Sequence, residues 1–221
     1  MIPPKADADF VYRMEDILDL YTPPYDAKRP LVCMDETSKQ LVSEVRPPIS
    51  LRSGQPARYD HEYRREGVCN VFMFFEPLRG WRAVDIRARR TKQDWVYSMK
   101  QLVEEHYPEA EVVRVVVDNL NTHNPAAFYE FFDPAEAKRI LDRLEVHYTP
   151  KHASWLNMTE IELSVVSRQC LNQRIPDQQQ MEREVRAWAR ERNEQCKRVD
   201  WQFRTADARI RLKQLYPSYS G

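Results

Sequence analysis

The chain has 221 residues, 42% hydrophobic and 31% charged, with 34 basic and 34 acidic side chains and a formal net charge of zero. This is enough for one sizeable domain that needs no staples, and its longest apolar run, VFMFF at 71–75, is far short of the roughly 20 residues of a membrane helix. Four glycines build neither a phosphate-cradling loop nor a dinucleotide fingerprint, and four cysteines without a close pair read as buried thiols of a reducing, cytoplasmic setting rather than as a zinc or disulfide framework.

Between Pro3-Pro4 and Pro23-Pro24, the residues Phe10, Val11, Met14, Ile17, Leu18 and Tyr21 recur at helical spacing behind Asp7 as N-cap, predicting a helix against the main domain. Residues 31–37 read as a strand. Residues 38–67, with Pro47, Pro48, Pro56 and many charges, read as an exposed excursion holding at most a short strand at 41–45. Residues 69–75 and 81–88 are strands joined by a Pro-Leu-Arg-Gly turn and should pair as a hairpin. Trp95, Met99, Leu102, Val103 and His106 define a helix over 91–107, and the valine-rich 112–117 suits a strand buried on both faces.

Further on, Asp133-Pro134 splits two short helices at 124–132 and 135–144, before a short strand at 145–148. A helix over 156–172 stops before Pro176, a longer charged helix covers 181–198, and the tail is basic and helix-prone. The sum is an α/β chain, a mixed central sheet flanked by helices. It divides into an N-terminal linker and helix (1–30), a core (31–175) and a C-terminal helical extension (176–221).

Three acids stand out on this framework: Asp35 in LVCMDETSKQL, Asp118 in VVRVVVDNLNTH and Glu160 in PKHASWLNMTEIELS. Asp118 follows a buried strand, where functional side chains of open α/β sheets gather, although a helix N-cap is the alternative. Asp35 lies within a strand, where an inward acid is costly unless paired or metal-bound, and Glu36 points to the other face. Glu160 and Glu162 lie about 200° apart around a helix, so only one of them faces the other acids. Asn157, Glu160, Ser164 and Ser167 form a polar stripe, which reads equally as a solvent face. Three converging carboxylates repel one another until divalent metal enters, and oxygen-only ligands select Mg²⁺ or Mn²⁺.

The blocks MDE, DNLNTH and HYTPKHASWLNMTEIE resemble the three catalytic blocks of DDE transposases, in the bacterial insertion-sequence branch of the mariner superfamily. The resemblance runs from about Ile2 to Pro217, with the third block the most specific. It implies a ribonuclease H-like (retroviral-integrase) fold, Asp35, Asp118 and Glu160 as catalytic metal ligands, and two Mg²⁺ or Mn²⁺ ions per site. It further implies cleavage of double-stranded DNA at element ends and strand transfer into target DNA, with insertion at a TA dinucleotide. Relatives carry an N-terminal helix-turn-helix region, which this chain is expected to lack. The expected partners are therefore DNA and a homodimer or an assembly with a full-length or upstream-encoded transposase, in the bacterial cytoplasm or nucleoid and without a membrane. The rival readings are a same-fold stand-alone nuclease and a non-catalytic remnant acting as a binding or dimerisation partner.

Candidate DNA contacts are Lys151, His152, Trp155 and Asn157 ahead of the third acid, and Asn121 and His123, which read first as a helix-start cap and an ordinary surface histidine and second as contacts to DNA. The tail from Lys197 to Lys213 is the best basic patch, with Arg209, Arg211 and Lys213 as its contacts. The arginines at 46, 52, 58, 64 and 65, then Arg87, Arg89, Arg90 and Lys92, read as solvated faces or backbone trackers. Trp188 and Trp201 read as packing anchors.

Overall fold

The structure, a computed structural model, describes residues 7–46 and 61–218. The residues expected as the centre of the excursion, with Pro47, Pro48, Arg52, Pro56 and Arg58, lie outside that range. In chain order the elements are α1 (Ala8–Leu20), β1 (Leu31–Glu44), β2 (Tyr63–Glu76), β3 (Trp81–Arg87), α2 (Lys92–Gln101), β4 (Val113–Val117), α3 (Phe128–Phe131), α4 (Pro134–Leu141), β5 (Leu144–Tyr148), α5 (Thr159–Gln169), α6 (Gln178–Glu194) and α7 (Thr205–Arg211). A π-helical turn, Leu102–His106, prolongs α2.

The five strands form one sheet in the order β3-β2-β1-β4-β5. β1, β2 and β3 are antiparallel neighbours, whereas β4 and β5 run parallel to β1. Pro77 to Gly80 close the β2–β3 hairpin as the sequence suggests, with Gly80 at φ +68 and so close to Cys196 and Lys197 that a Cβ would sit 2.7 Å from their backbone. Parallel pairing of β4 needs a crossover, supplied by α2.

One expectation fails at β1. It does not stop near residue 37 but continues to Glu44, paired with β2 from Cys33 opposite Phe75 to Glu44 opposite Tyr63. A partner strand satisfies the backbone whatever the side chains are, so polar residues extend the ladder once the hairpin exists. The register shifts at Leu41/Val42 beside Gly67, whose φ of +111 suits a bulge.

The two-residue alternation of the strands feeds separate cores. Val32, Met34, Phe72, Phe74, Val113, Val115 and Val117 bury one face against Trp95, Met99, Phe128 and Ile140. On the other face Leu31, Cys33, Phe75 and Val116 meet Phe10, Met14 and Ile17 of α1, while Val71 and Met73 meet Leu163 and Val166 of α5 and Val185 of α6. Each large apolar side chain buried here contributes about 1.5–3 kcal/mol. Caps mark the helix starts: Asp7 accepts from the N–H groups of Asp9 and Phe10, and Thr91 and Asp94 form a reciprocal box at α2. Among the described residues no helix is long and apolar enough to cross a membrane. Cys33, Cys69 and Cys170 are buried free thiols and Cys196 is exposed.

Candidate active site

Asp35 lies on β1 with Cys33 on the sheet face covered by α1 and α5, and Glu36 points to the opposite face with Met34. Only 8% of Asp35 is exposed. Burial pushes its carboxyl up to about 7. The Glu36 N–H, donating to Asp35 Oδ1 at 2.8 Å, opposes that rise, and the negative charges of Asp118, Glu160 and Glu36 add to it. Asp35 is thus a buried acid whose charged form is opposed by its neighbours.

Asp118 follows the last residue of β4, the strand parallel to β1, and with Cys33 paired to Val116 the register brings it level with Asp35. Glu160 lies in the first turn of α5, and a clamp holds that turn against β1. Asn157 Nδ2 donates to the carbonyl of Met34 at 2.8 Å, and its Oδ1 accepts from the N–H of Thr159 at 3.1 Å. Tyr21, the C-cap of α1, donates to the Leu156 carbonyl at 2.6 Å, fixing the approach.

Glu162 goes elsewhere. It is 1% exposed and turned toward β3 and α6, where Arg192 forks onto it at 2.7 and 3.0 Å. Arg82 Nε stands 3.0 Å away in an ion pair that lies off the hydrogen-bond angle. Arg82 also donates to Asn193 Oδ1 at 3.1 Å and to the Lys197 carbonyl at 2.7 Å. The two glutamates of one helix therefore face different surroundings, as their angular separation requires.

His123 is the main correction to the sequence reading. It is 1% exposed, not a surface residue, and bridges two acids. Nε2 is 3.1 Å from Glu36 Oε2, and Nδ1 is 2.6 Å from Asp118 Oδ1 in a contact off the hydrogen-bond angle. Burial lowers its pKa, but the carboxylates of Asp118 and Glu36 beside it outweigh that and bring it up to about 9. Its ring stacks on Trp95 at 5.6 Å. The parity of β1 puts Glu36 on the Trp95 face, the one signal by which the Glu36–His123 pair was readable in advance.

Other candidate contacts also change role. Asn157, 1% exposed, spends both ends of its amide on the clamp. Trp155 packs between Trp201 (6.4 Å, stacked) and Phe203 (6.0 Å) rather than presenting a face to a base. Arg209 forks onto Glu15 of α1 at 2.8 Å through both nitrogens, with Tyr216 donating to the same carboxylate, so it pins the tail to α1. Lys151, His152, Asn121, Arg211 and Lys213 are exposed. His152 holds a φ of +63 in the loop before α5. Trp188 donates to Gln169 at 2.9 Å and Trp201 packs on Tyr21 at 5.3 Å, both anchors as expected.

Hard divalent metal is the cofactor that this donor chemistry suits. The acids present oxygen only, they oppose one another's charge, and the buried Asp118 Oδ1 lacks a hydrogen bond in good geometry. The side chains do not stand as a closed ligand set: among the described residues no three acidic, histidine or cysteine groups are gathered closely enough to hold an ion. Asp118 Oδ1 lies against His123 Nδ1.

The family described as DDE superfamily endonuclease matches residues 30–182. No curated protein matches at the sequence level. Among solved structures the chain is similar to the Mos1 mariner paired-end complex with Mn (15% identity, TM-score 0.53, covering 89% of this chain and 64% of that one). It is also similar to the Mos1 paired-end complex with the left transposon end (15%, 0.54, 89% and 64%) and to the Mos1 strand transfer complex (14%, 0.54, 89% and 63%). The chain thus spans just under two thirds of those transposase chains, and at such identities the likeness shows the fold, the ribonuclease H-like α/β sheet with flanking helices. With the family matched over the whole sheet and all three acids, the chain belongs to the DDE superfamily endonucleases.

Proposed function

We propose that this chain is the catalytic domain of a DNA transposase of the insertion-sequence branch of the mariner superfamily, with residues 31–175 as its catalytic core. The observation that carries the reading is the buried Asp35, held at the β1–β4 junction with its charge opposed by Asp118 and Glu160. Double-stranded DNA, first at an element end and then at a target, is the substrate, and a second transposase subunit is the partner. The Mos1 structures, described as paired-end and strand transfer complexes, support this reading by their likeness in fold.

Asp35, Asp118 and Glu160 would hold Mg²⁺ or Mn²⁺, two ions in this reading, which when bound supply activation of a water or 3′-hydroxyl and stabilisation of the leaving oxygen. The chain's own part is placement. β1 and β4 fix the two aspartates as neighbours, and the Asn157 clamp fixes the first turn of α5. His123 holds Asp118 from behind and ties it through Glu36 to β1. Burial of Asp35 excludes water from one side and keeps the local dielectric low, which strengthens any charge stabilisation there.

The test delivers the chain to DNA through a fused DNA-binding domain of known site, with Mg²⁺ or Mn²⁺ added. Metal-dependent nicking near that site, and joining of a pre-cleaved 3′-hydroxyl end to a second duplex, are the expected results. Nicking without joining leaves a nuclease of the same fold, and nicking that persists in Asp118→Asn rejects the mechanism.

A further inference from the structure

The two edges of the sheet are finished differently. At β3 the outward backbone is covered by α6: Asn193 Oδ1 accepts from the Arg82 N–H and Asn193 Nδ2 donates to the Arg82 carbonyl, both at 2.8 Å, and Gln178 donates to the Ile86 carbonyl at 3.2 Å. At β5 the Val113 N–H donates to the Arg143 carbonyl and the Thr149 N–H donates to the Val117 carbonyl, so every second residue from 143 to 149 spends its backbone on β4. Leu144, Val146 and Tyr148 turn theirs outward, and among the described residues nothing hydrogen-bonds to them there. We propose that this edge pairs with the same edge of a second copy of the chain, antiparallel and centred on Val146, so that one sheet runs across a two-fold axis. The proposal uses none of the three acids and does not rest on the catalytic reading.

The strand is complementary to itself. About Val146 it reads Leu-Glu-Val-His-Tyr, so an antiparallel copy sets Val146 opposite Val146, Leu144 opposite Tyr148 and Glu145 opposite His147. In that register each outward N–H meets an outward carbonyl, as in the bonded pairs of an antiparallel ladder. Glu145 and His147 fall on the alternate pairs, where side chains come closest and an acid opposite an imidazole is favoured over like groups. Within the strand they already bond one another at 3.0 Å, and His147 bonds Asp16 of α1 at 2.8 Å. The copy continues that alternation of acid and base. A parallel copy in register would set Glu145 against Glu145.

The opposite face supplies apolar surface. Leu144, Val146 and Tyr148 are half-buried against the Trp95 core, and a neighbouring strand takes more of their area from water. Tyr12, 72% exposed, stands one turn before Asp16 on α1, beside the same edge. Pairing about a two-fold axis uses both β5 edges while α6 keeps both β3 edges covered, so the assembly closes at two chains. An open edge otherwise invites association without end, and β5 carries neither lysine nor proline to deter it.

The experiment takes the full chain without DNA or metal, measures its mass by sedimentation over a range of concentration, and follows amide exchange residue by residue. The mass is expected to pass from one chain to two as concentration rises, with the Leu144, Val146 and Tyr148 amides becoming protected in step. Val146→Pro removes an N–H that bonds nothing within the chain; with a melting curve showing that it folds, it should weaken association about tenfold or more. Glu145→His and His147→Glu each set like groups opposite one another and should weaken it roughly tenfold, whereas the two variants mixed together regain unlike pairs and should dimerise with each other. A mass of one chain at every concentration would overturn the proposal, as would a dimer in which those three amides stay unprotected. Protection that does not change with concentration would show that the chain covers its own edge, and failure of the mixed variants to associate would reject the register; either sinks it. None of these outcomes bears on cleavage, which the fused-domain assay reads separately.

Discussion

Glu160 and Glu162 sit two residues apart on α5, yet one joins a group of like charges and the other joins their opposite. Glu162 is buried with Arg82 and Arg192, each of which also donates or stacks elsewhere, so its charge is matched. Asp35 is buried with its charge opposed by Asp118, Glu160 and Glu36, and a single N–H counters them. A fold selected for stability alone would favour the first arrangement, since unmatched buried charge is costly. The second is tolerated where function needs carboxylates, and the contrast separates a structural acid from a candidate catalytic one without reference to sequence motifs.

The sharpest way to break this comparison is by rate. With metal and a delivered DNA site, Asp118→Asn should reduce nicking by at least about a thousandfold, because removal of one ligand undermines both nucleophile and leaving group. Single-turnover gels on a labelled duplex measure it. A loss of only a few fold would place Asp118 among ordinary surface acids.

Next in size is the matched side. Glu162→Ala leaves Arg82 buried without its carboxylate, which should cost about 3–5 kcal/mol in urea unfolding. Burial already pulls the pKa of Arg82 down, and Glu162 is the group that opposes this. A neutral result would mean that water or Asn193 takes over, and the two acids would then differ less than proposed.

The unmatched side should respond with the opposite sign. Asp35 carries a carboxyl raised from its ordinary 3.8 to about 7, so the folded metal-free chain holds this proton more tightly than the unfolded one. Its contribution to stability is therefore full below about pH 4 and lost as pH rises toward about 7, with no further loss above. Asp35→Asn in chelator should remove that slope and stabilise the fold at pH 8 by roughly 4 kcal/mol, the worth of a rise from 3.8 to about 7. Thermal melts across that range check it, and a destabilised, still pH-dependent variant would contradict the account.

The smallest effect concerns the tail. Arg209 is already engaged by Glu15, whose carboxyl it holds below the usual range. Arg209→Ala should cost little stability, since the guanidinium itself is exposed, and should leave the salt dependence of DNA binding unaltered. Replacing Arg211 and Lys213 together should instead flatten that dependence by about one unit for each phosphate that is no longer neutralised. Equal salt slopes for both variants would remove the tail from the DNA interface.

Much of this is readable in advance where the signal is local. The Asp7 cap, the Thr91 start of α2, the Pro-Leu-Arg-Gly hairpin and the valine run of β4 depend on neighbours in sequence, and all four appear. The polar half of β1 is not readable, because its order comes from β2 across the ladder rather than from its own side chains. His123 reads as a surface residue because nothing near it in sequence is apolar enough to bury it. Trp95 from α2 and Glu36 from β1 do so. Asn157, Trp155 and Arg209 read as DNA contacts for the same reason, their partners being Met34, Trp201 and Glu15, each distant in the chain.

By itself, the sequence determined the alternation of apolar residues, the caps and turns that delimit the elements, and the identity of the acids. Tertiary structure alone decided which charges are compensated. Matching a buried carboxylate requires an arginine from another strand or helix at about 3 Å, and such a pairing depends on how α5 is rotated against β3 and α6. The same rotation turns Glu162 toward those arginines and leaves Glu160 with the aspartates, because about 200° of helix separates two residues that are neighbours but one in the chain.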